Sequence, residues 1–224
     1  KIATSVEKFR DGWERYISIL IDAIDGTTNF DACLPFFCSA VAIFIGGRLS
    51  VSAIYDPIHN QVFYGSLRVL HGGKYESVAN VWSIPTGNLD KLGGKGQTEA
   101  KRKLIATHIT RSDSEARNRF LKFLPSLCKD KSLNGGTYML NCGQMALAHV
   151  ACGNLSAFLS NTTGIWDVAA GEILIRAIGG KITDFKGREI DYGKSSRISV
   201  LGCKTPEIHD RIIKIIDRSY PWER

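Results

Sequence analysis

Residues 22–30 read Asp-Ala-Ile-Asp-Gly-Thr-Thr-Asn-Phe and follow directly on the apolar run 17–21. Asp22 and Asp25 place two carboxylates at the mouth of a predicted strand, and Mg2+ prefers such oxygen ligands. Gly26 allows a close approach of the backbone, and successive N–H groups in such a turn can hold a phosphate. The stretch therefore predicts metal ligands beside an anion-binding turn. The simpler alternative is a strand end with an Asx-turn, where Asp and Asn make local hydrogen bonds.

A second run lies about 140 residues further along the chain, where residues 164–171 read Gly-Ile-Trp-Asp-Val-Ala-Ala-Gly. Together the two runs resemble the signatures of the inositol monophosphatase family, which are Mg2+-dependent sugar and polyol phosphatases. The first signature is usually D-P-[IV]-D-G-T-x-N-F, and the second is W-D-x-A-[AG]-G. Both occur in the family's order and at roughly its separation, and two long matches are more specific than one short motif.

Smaller matches extend the resemblance over nearly the whole chain from about Ile17. They are 34–36 (Leu-Pro-Phe), 54–57 (Ile-Tyr-Asp-Pro) and 141–143 (Asn-Cys-Gly). Strands mixed with helices predict an α/β or α+β arrangement, and the resemblance implies a layered α-β-α-β-α sandwich of the sugar phosphatase type. We expect a single domain over residues 1–224 with a subdomain boundary near 110–140.

Local patterns predict several of the elements. Cys38–Ile45 and 49–55 are rich in β-branched and aromatic residues and flank a Gly-Gly pair, which indicates a hairpin. Turn-forming residues make 72–96 the least regular region. Ser112 and Glu115 fit a capping box for a helix that we expect to end before Pro125.

The resemblance implies that Asp22, Asp25 and Asp167 bind two or three Mg2+ ions at one phosphate site. Asp22 would bridge two ions, and the backbone carbonyl of Ile24 would bind one of them. Asp25 and Asp167 would bind the second ion, with Asp167 in the first turn of a helix. The Thr27 hydroxyl would orient and deprotonate the attacking water. Asp22, Asp25 and Thr27 are therefore the candidate catalytic residues.

Substrate-binding residues are also implied by the resemblance. The N–H groups of Gly26 and Thr27 would hold phosphate oxygens beside Asp167. Gly143 and Gln144 match a family position that contacts the alcohol portion of the substrate, and helix capping with packing is an equal alternative for both.

Two positions depart from the family pattern. Ser160 is a further candidate substrate-binding residue by its position. It stands where inositol-specific members carry a Glu that binds ring hydroxyls, so another sugar or nucleotide phosphate is an alternative substrate. Ala23 replaces the usual Pro, which would stiffen the turn between Asp22 and Asp25, although Ala keeps the spacing of the two carboxylates.

The largest departure precedes the first signature. Family members carry a Gly-Glu-Glu element about 20 residues before the first Asp, after two helices, and that Glu binds one metal. Glu7 and Glu14 are the glutamates before Asp22 here, and neither has the expected context. We expect the N-terminal helical segment and its Glu to be missing from this chain; the alternative is a degenerate family member.

Composition limits the partners. The net charge is +7, but the basic residues are mostly scattered and do not alternate with aromatic residues as a nucleic-acid platform requires. Six cysteines form no CxxC pair and no cluster of zinc spacing, which predicts free thiols in a reducing cytosol. We expect a cytoplasmic protein with a small phosphorylated substrate, no nucleic-acid partner and no membrane partner. The resemblance implies a homodimer and inhibition by Li+.

The function implied is a Mg2+-dependent phosphomonoesterase that hydrolyses a small sugar, polyol or nucleotide phosphate with metal-activated water. The alternative is a non-catalytic binding or scaffold protein of the same fold, because the upstream Glu is not seen.

Overall fold

The structure is a computed structural model that describes residues 15–69, 75–93, 103–109, 113–133 and 135–220. Within these residues, two β-sheets and five α-helices form successive layers. Glu7 and Glu14, the acidic residues weighed as upstream metal ligands, lie outside the described residues.

Sheet A has six strands in sequence order, and every neighbouring pair is antiparallel. Its apolar and polar side chains alternate between a covered inner face and an outer face, as a period of two requires. The predicted hairpin is confirmed, with Gly46 and Gly47 at positive φ in its turn. The strands are β1 (Ile17–Asp25), β2 (Cys38–Ile45), β3 (Arg48–Asp56), β4 (Gln61–Val69), β5 (Tyr75–Ser83) and β6 (Leu89–Lys91).

The prediction that 72–96 is the least regular region was wrong in part, because β5 and β6 occupy much of that segment. β5 pairs with the whole of β4, from Gln61 opposite Ser83 to Val69 opposite Tyr75. Pairing with a neighbouring strand therefore overrides the weak local strand signal in this segment.

Sheet B has five strands in the order β10-β11-β9-β7-β8. The pairs of β7 with β8 and with β9 are parallel, and the other pairs are antiparallel. Its strands are β7 (Ile105–His108), β8 (Thr137–Met139), β9 (Ala157–Gly164), β10 (Lys181–Thr183) and β11 (Arg197–Cys203).

Four of the five described helices occupy two layers, one on each face of sheet B. They are α1 (Thr27–Asp31), α2 (Ser114–Cys128), α3 (Gly143–Ala151), α4 (Ala169–Ala177) and α5 (Pro206–Ser219). The helices α3 and α4 lie between the two sheets, where almost all of their side chains are buried. The helices α2 and α5 pack together on the opposite face of sheet B.

This order of layers confirms the sandwich of the sugar phosphatase type. The described residues supply sheet A, the α3–α4 layer, sheet B and the α2–α5 layer. Within them, no helix covers the outer face of β1, where Ile17 and Ile21 are 62% and 65% exposed. The single domain over 1–224 with its boundary near 110–140 stays a prediction. None of the helices that the structure describes has the length and apolar character needed to cross a membrane.

The start and end of α2 differ from the sequence prediction. Asp113 is the N-cap, and its side chain accepts a hydrogen bond of 2.8 Å from the Ala116 N–H. The predicted cap, Ser112, lies outside the described residues. The helix continues through Pro125 to Cys128, because Phe123 and Leu127 bury an apolar face beneath it. That burial outweighs the loss of one helical hydrogen bond at proline.

Candidate metal centre

A β-bulge places two carboxylates on one face of the edge strand β1. In a regular strand, residues three apart point to opposite faces. Asp22 pairs with Ala40 and Asp25 pairs with Cys38, so β1 carries one more residue than β2 across this interval. The extra residue returns Asp25 to the inner face that Asp22 occupies. The Ser39 hydroxyl donates a 2.7 Å hydrogen bond to the Ala23 carbonyl within the bulge.

The Asp25 carboxylate is buried against the beginning of α3. Its Oδ2 accepts a 2.6 Å hydrogen bond from the Gln144 N–H and lies 3.3 Å from the Cys142 sulfur. An N–H at a helix start is a suitable donor to a carboxylate, because the helix dipole favours negative charge there. The following residue, Gly26, takes φ 83° and turns the chain into α1.

Asp167 approaches from the other sheet. It ends a short 3-10 turn, Ile165–Asp167, that connects β9 to α4. The prediction that it lies in the first turn of the helix was wrong, since α4 begins at Ala169. Asp167 Oδ2 accepts hydrogen bonds from the Thr163 hydroxyl at 2.6 Å and the Gly164 N–H at 2.9 Å. These two donors fix the carboxylate so that it faces β1.

The structure brings Asp22, Asp25 and Asp167 together, with one carboxylate oxygen of each within 4.8 Å of the others. Burial and the nearby Asp167 carboxylate raise the pKa of Asp22 to about 7 and that of Asp25 to about 8. Among the described residues, none of the three forms an ion pair with lysine or arginine. In the part of the chain that the structure describes, the three carboxylates therefore lie together without an ion-paired lysine or arginine.

This donor set fits Mg2+ on chemical grounds. All three side chains offer oxygen, and hard divalent cations choose oxygen ligands. A cation at this point would also neutralise the repulsion that raises the pKa values of Asp22 and Asp25. Ile24 lines the same cleft, and its N–H donates to Asp22 Oδ1 at 3.2 Å.

The three carboxylates lie in an open cleft of about 350 Å³. Its wall combines residues from the first signature with residues from four later segments, so it spans both sheets. The lining residues are Asp22, Ile24, Asp25, Gly26, Thr27, Thr28, His108, Ile109, Asn141, Trp166, Asp167 and Arg197.

Three of the predicted substrate-binding residues lie elsewhere. Ser160 is fully buried in β9, where its hydroxyl donates to the Thr162 carbonyl at 3.1 Å. Gln144 is buried behind the carboxylates. Gly143 packs so tightly that an added Cβ would lie 2.5 Å from the Asp167 carbonyl oxygen. The structure therefore brings Gly26 and Thr27 to the cleft but does not bring Ser160, Gly143 or Gln144 to its wall.

Gln144 instead connects the two halves of the centre. Its side-chain Nε2 donates to the Trp166 carbonyl at 2.5 Å, and its Oε1 accepts from the Gly171 N–H at 2.7 Å. The Gln144 N–H also donates to Asp25. Gln144 alone therefore contacts Asp25, the Asp167 turn and α4.

Sequence reasoning missed four cleft residues: His108, Ile109, Asn141 and Arg197. His108 ends β7, and Asn141 takes the left-handed φ of 48° just before α3. Arg197 lies with its Cζ 5.8 Å from the centre of a Trp166 ring. Only Asn141 carried a signal, since it belongs to the smaller match at 141–143.

Comparison with known proteins identifies the family of this chain. A sequence model described as the inositol monophosphatase family matches residues 6–220. The chain belongs to the inositol monophosphatase family. The Nus factor SuhB of Xylella fastidiosa is 30% identical over 172 residues, which is 76% of this chain and 56% of that protein. Inositol monophosphatase 1 of Solanum lycopersicum is 31% identical over 211 residues, or 89% of this chain and 66% of that protein.

Among solved structures, the inositol monophosphatase from Anabaena (Nostoc) sp. PCC 7120 superposes with a TM-score of 0.70 at 26% identity. The match covers 96% of this family member and 83% of the Anabaena chain. The present chain spans less than two thirds of the length of each of the two curated relatives described above.

Proposed function

We propose that this family member is a Mg2+-dependent phosphomonoesterase that acts on a small sugar, polyol or nucleotide phosphate. The observation that carries the proposal is the convergence of Asp22, Asp25 and Asp167 within 4.8 Å at the base of an open cleft. Phosphoryl transfer requires such a charged site, because catalysis rests on positioning and on stabilising charge at the transferred group.

In this proposal Asp22, Asp25 and Asp167 hold two or three Mg2+ ions, with the Ile24 carbonyl as a further donor. Bound Mg2+ supplies an activated water and stabilises charge on the leaving oxygen. The Thr27 hydroxyl, which lines the cleft beside Asp25 and Gly26, would accept a hydrogen bond from that water and help to orient and deprotonate it, with the proton passing on to solvent. The N–H groups of Gly26 and Thr27 hold phosphate oxygens.

The cleft wall supports a substrate other than inositol phosphate. Ser160, in place of the family's Glu, is buried behind the wall, so this position offers no carboxylate to ring hydroxyls. The wall instead presents His108, Asn141 and Arg197. For Gly143 and Gln144 the geometry favours the packing alternative, in which they position Asp25 and Asp167 rather than contact the substrate.

The proposal extends to four further properties. The family resemblance suggests inhibition by Li+ through competition for a Mg2+ position, and a homodimer. The cysteine pattern suggests a cytoplasmic location, and the scattered basic residues favour a small phosphorylated molecule over nucleic acid as the partner.

Phosphate release from a panel of sugar, polyol and nucleotide monophosphates tests the proposed activity, with the full-length gene product and millimolar Mg2+. Asp167→Asn removes one charged ligand while keeping the volume of the side chain. We expect turnover to fall by at least about 100-fold, because metal sites lose 10–100-fold even when only an outer partner is removed. Asp217→Asn, on the exposed side of α5, is the matched control. Equal activity in the wild type and in Asp167→Asn would refute the metal role.

A non-catalytic role is the second candidate, and the name of several relatives favours it. Proteins called Nus factor SuhB match this chain at 27–30% identity. A binding role that does not use the metal centre predicts that Asp167→Asn keeps all partner binding while the wild type releases no phosphate from any substrate in the panel.

A further inference from the structure

A second group of potential ligands lies directly behind the metal centre. The sulfurs of Cys38 and Cys142 are 3.9 Å apart, and Asp25 Oδ2 is 3.3 Å from the Cys142 sulfur. One ligand atom from each of the three residues lies within 4.8 Å of the other two, and all three residues are buried. Asp25 thus belongs to two clusters, one made only of oxygens and one that adds two thiols.

The fold assembles this thiol cluster from distant parts of the chain. Cys38 pairs with Asp25 across β1 and β2. Cys142 is the N-cap of α3, and its sulfur also lies 3.5 Å from the Asp25 carbonyl oxygen. The two cysteines are 104 residues apart in sequence, so a search for CxxC spacing does not detect the pair.

The separation of the two sulfurs matches a metal dithiolate. With Zn–S bonds of about 2.3 Å at a tetrahedral angle, two sulfur ligands lie about 3.8 Å apart. A disulfide needs sulfurs about 2.0 Å apart, so the same pair would have to approach considerably. The observed 3.9 Å is therefore close to the separation of two sulfur ligands on one ion.

We propose that Cys38, Cys142 and Asp25 form a binding site for a thiophilic divalent cation of the Zn2+ or Cd2+ class. Both sulfurs and Asp25 Oδ2 would be ligands, and the Asp25 carbonyl oxygen or a water would complete the tetrahedron. Each thiol releases one proton to solvent as the ion binds, and no electron is transferred.

Ligand chemistry separates this site from the Mg2+ centre. Thiolates are soft ligands that select Zn2+ and similar ions, whereas Mg2+ chooses oxygen. The Asp25 carboxylate connects the two sites, since it lines the cleft and also touches the Cys142 sulfur. A thiophilic ion would therefore draw Asp25 away from the oxygen cluster. This inhibitory consequence rests on the proposed phosphatase function, whereas the binding itself does not.

The binding test uses the reduced, chelator-treated chain and Cd2+ alone as the probe. Cadmium bound to thiolate gives an ultraviolet charge-transfer band that oxygen ligands do not give. The exposed cysteines Cys33 and Cys128 are replaced by alanine in every protein, because free surface thiols would add their own signal. Cys38→Ala and Cys142→Ala are compared with Cys203→Ala, which removes a buried thiol in the second apolar core.

We expect one Cd2+ per chain and a thiolate band that at least halves in Cys38→Ala and in Cys142→Ala. The band should keep its full strength in Cys203→Ala. A thiolate band that keeps its full strength in both Cys38→Ala and Cys142→Ala would overturn the proposal. So would a band that disappears only in Cys203→Ala.

X-ray absorption at the zinc edge tests the same site in a protein that keeps both Cys38 and Cys142. The result therefore does not depend on whether the alanine variants fold. With one equivalent of Zn2+ bound, we expect about two sulfur neighbours at about 2.3 Å together with oxygen. A shell of oxygen and nitrogen alone would contradict the thiol site.

The inhibitory consequence is measured separately. One equivalent of Zn2+ should lower Mg2+-dependent phosphate release by at least tenfold in the wild type, and the ratio of activity with and without Zn2+ should move towards one in Cys38→Ala. If the wild type releases no phosphate at all, the proposed function fails while the spectroscopic result still decides the metal site. If Cd2+ binds as expected but Zn2+ leaves turnover unchanged, the sharing of Asp25 is refuted.

Discussion

At the scale of single residues, the carboxylates of the metal centre depend on neighbours that are not themselves ligands. Thr163 and Gly164 orient Asp167, and Gln144 holds Asp25. Such outer partners fix the orientation of ligands before a cation arrives. The residues that decide the geometry are therefore more numerous than the three aspartates.

Replacement of Gln144 by alanine tests this dependence. The change leaves the Trp166 carbonyl and the Gly171 N–H without their present partner in a buried region. An unsatisfied buried group costs about 1–3 kcal/mol, so we expect urea unfolding to report a loss of at least about 2 kcal/mol. Gln61→Ala, at the start of β4, is the control and should cost less than about 1 kcal/mol. Equal losses in the two variants would contradict the bridging role.

Gly143→Ala is a more local test of the same neighbourhood. The added Cβ would lie 2.5 Å from the Asp167 carbonyl oxygen, which is backbone and cannot rotate away. We expect a loss of about 1–3 kcal/mol from overpacking and a higher Mg2+ concentration for half-maximal binding.

Gly202→Ala is its matched control, because the added Cβ there would lie 2.5 Å from a Leu147 methyl group in the same core. A Leu147 methyl group can shift, so that variant should lose no more stability than Gly143→Ala, and it should keep its Mg2+ affinity. If isothermal titration finds the same Mg2+ affinity in both variants, Gly143 has no special relation to the Asp167 turn.

At the scale of elements, α5 is fixed to β10 by a buried histidine. His209 is buried, and its Nε2 lies 2.8 Å from the Thr183 hydroxyl. That hydroxyl donates to the Asp184 carbonyl, so the histidine nitrogen is the donor in this pair. The helix is otherwise held by Ile212 and Ile216 in the second apolar core.

The protonation of His209 links this helix to pH. Burial lowers the pKa of His209 from its ordinary 6.5 and outweighs the nearby Asp210 carboxylate. The unfolded chain therefore binds a proton more readily, and the stability that neutral His209 contributes is lost as pH falls below about 6.5. When pH is lowered from 7.5 to 5.5, we expect urea unfolding to show His209→Gln gaining stability relative to the wild type. The same change in stability with pH in both proteins would show that this histidine does not control the effect.

The elements also show how far sequence alone could lead. The Gly-Gly hairpin, the apolar α3 and the two signature segments were predictable, because their patterns are local. The bulge between Asp22 and Asp25 was not, since it is defined by pairing with Ala40 and Cys38 on another strand. The same holds for β5, and for the buried positions of Gln144 and Ser160, which depend on long-range packing rather than on nearby residues.

At the scale of the whole molecule, the candidate centre joins two sheets. Asp22 and Asp25 belong to sheet A, whereas Asp167 follows β9 of sheet B. One apolar core extends between the sheets and includes Phe44 from β2, Leu147 from α3 and Val200 from β11. A cation at the centre would therefore link elements that the core already packs together.

A cation that joins the two sheets in this way would make the stability of the fold depend on pH and on Mg2+. Without metal, the raised pKa values of about 7 for Asp22 and about 8 for Asp25 mean that the folded state binds more protons than the unfolded chain, where the value is near 3.8. Stability of the metal-free protein therefore falls as pH rises from about 4 to about 8. Under the proposed function, Mg2+ would need the ionised carboxylates and would stabilise the folded state by mass action.

Thermal unfolding with EDTA or with millimolar Mg2+ measures this effect. We expect Mg2+ to raise the unfolding temperature more at about pH 8.5 than at about pH 6, and Asp167→Asn to reduce the gain at both values. A gain that is independent of pH, or unchanged in the variant, would contradict the link.

The distance in sequence between the two halves of the centre also sets an order of events during synthesis. Asp167 is translated about 140 residues after Asp25, which corresponds to roughly 10–30 seconds at ordinary rates of elongation. During that interval the bulged strand presents two carboxylates without the third. Under the proposed function, metal capture is therefore a late event that follows docking of the sheets. An interaction made that late slows unfolding and leaves the rate of folding almost unchanged, so the cation would act as a latch on the finished molecule.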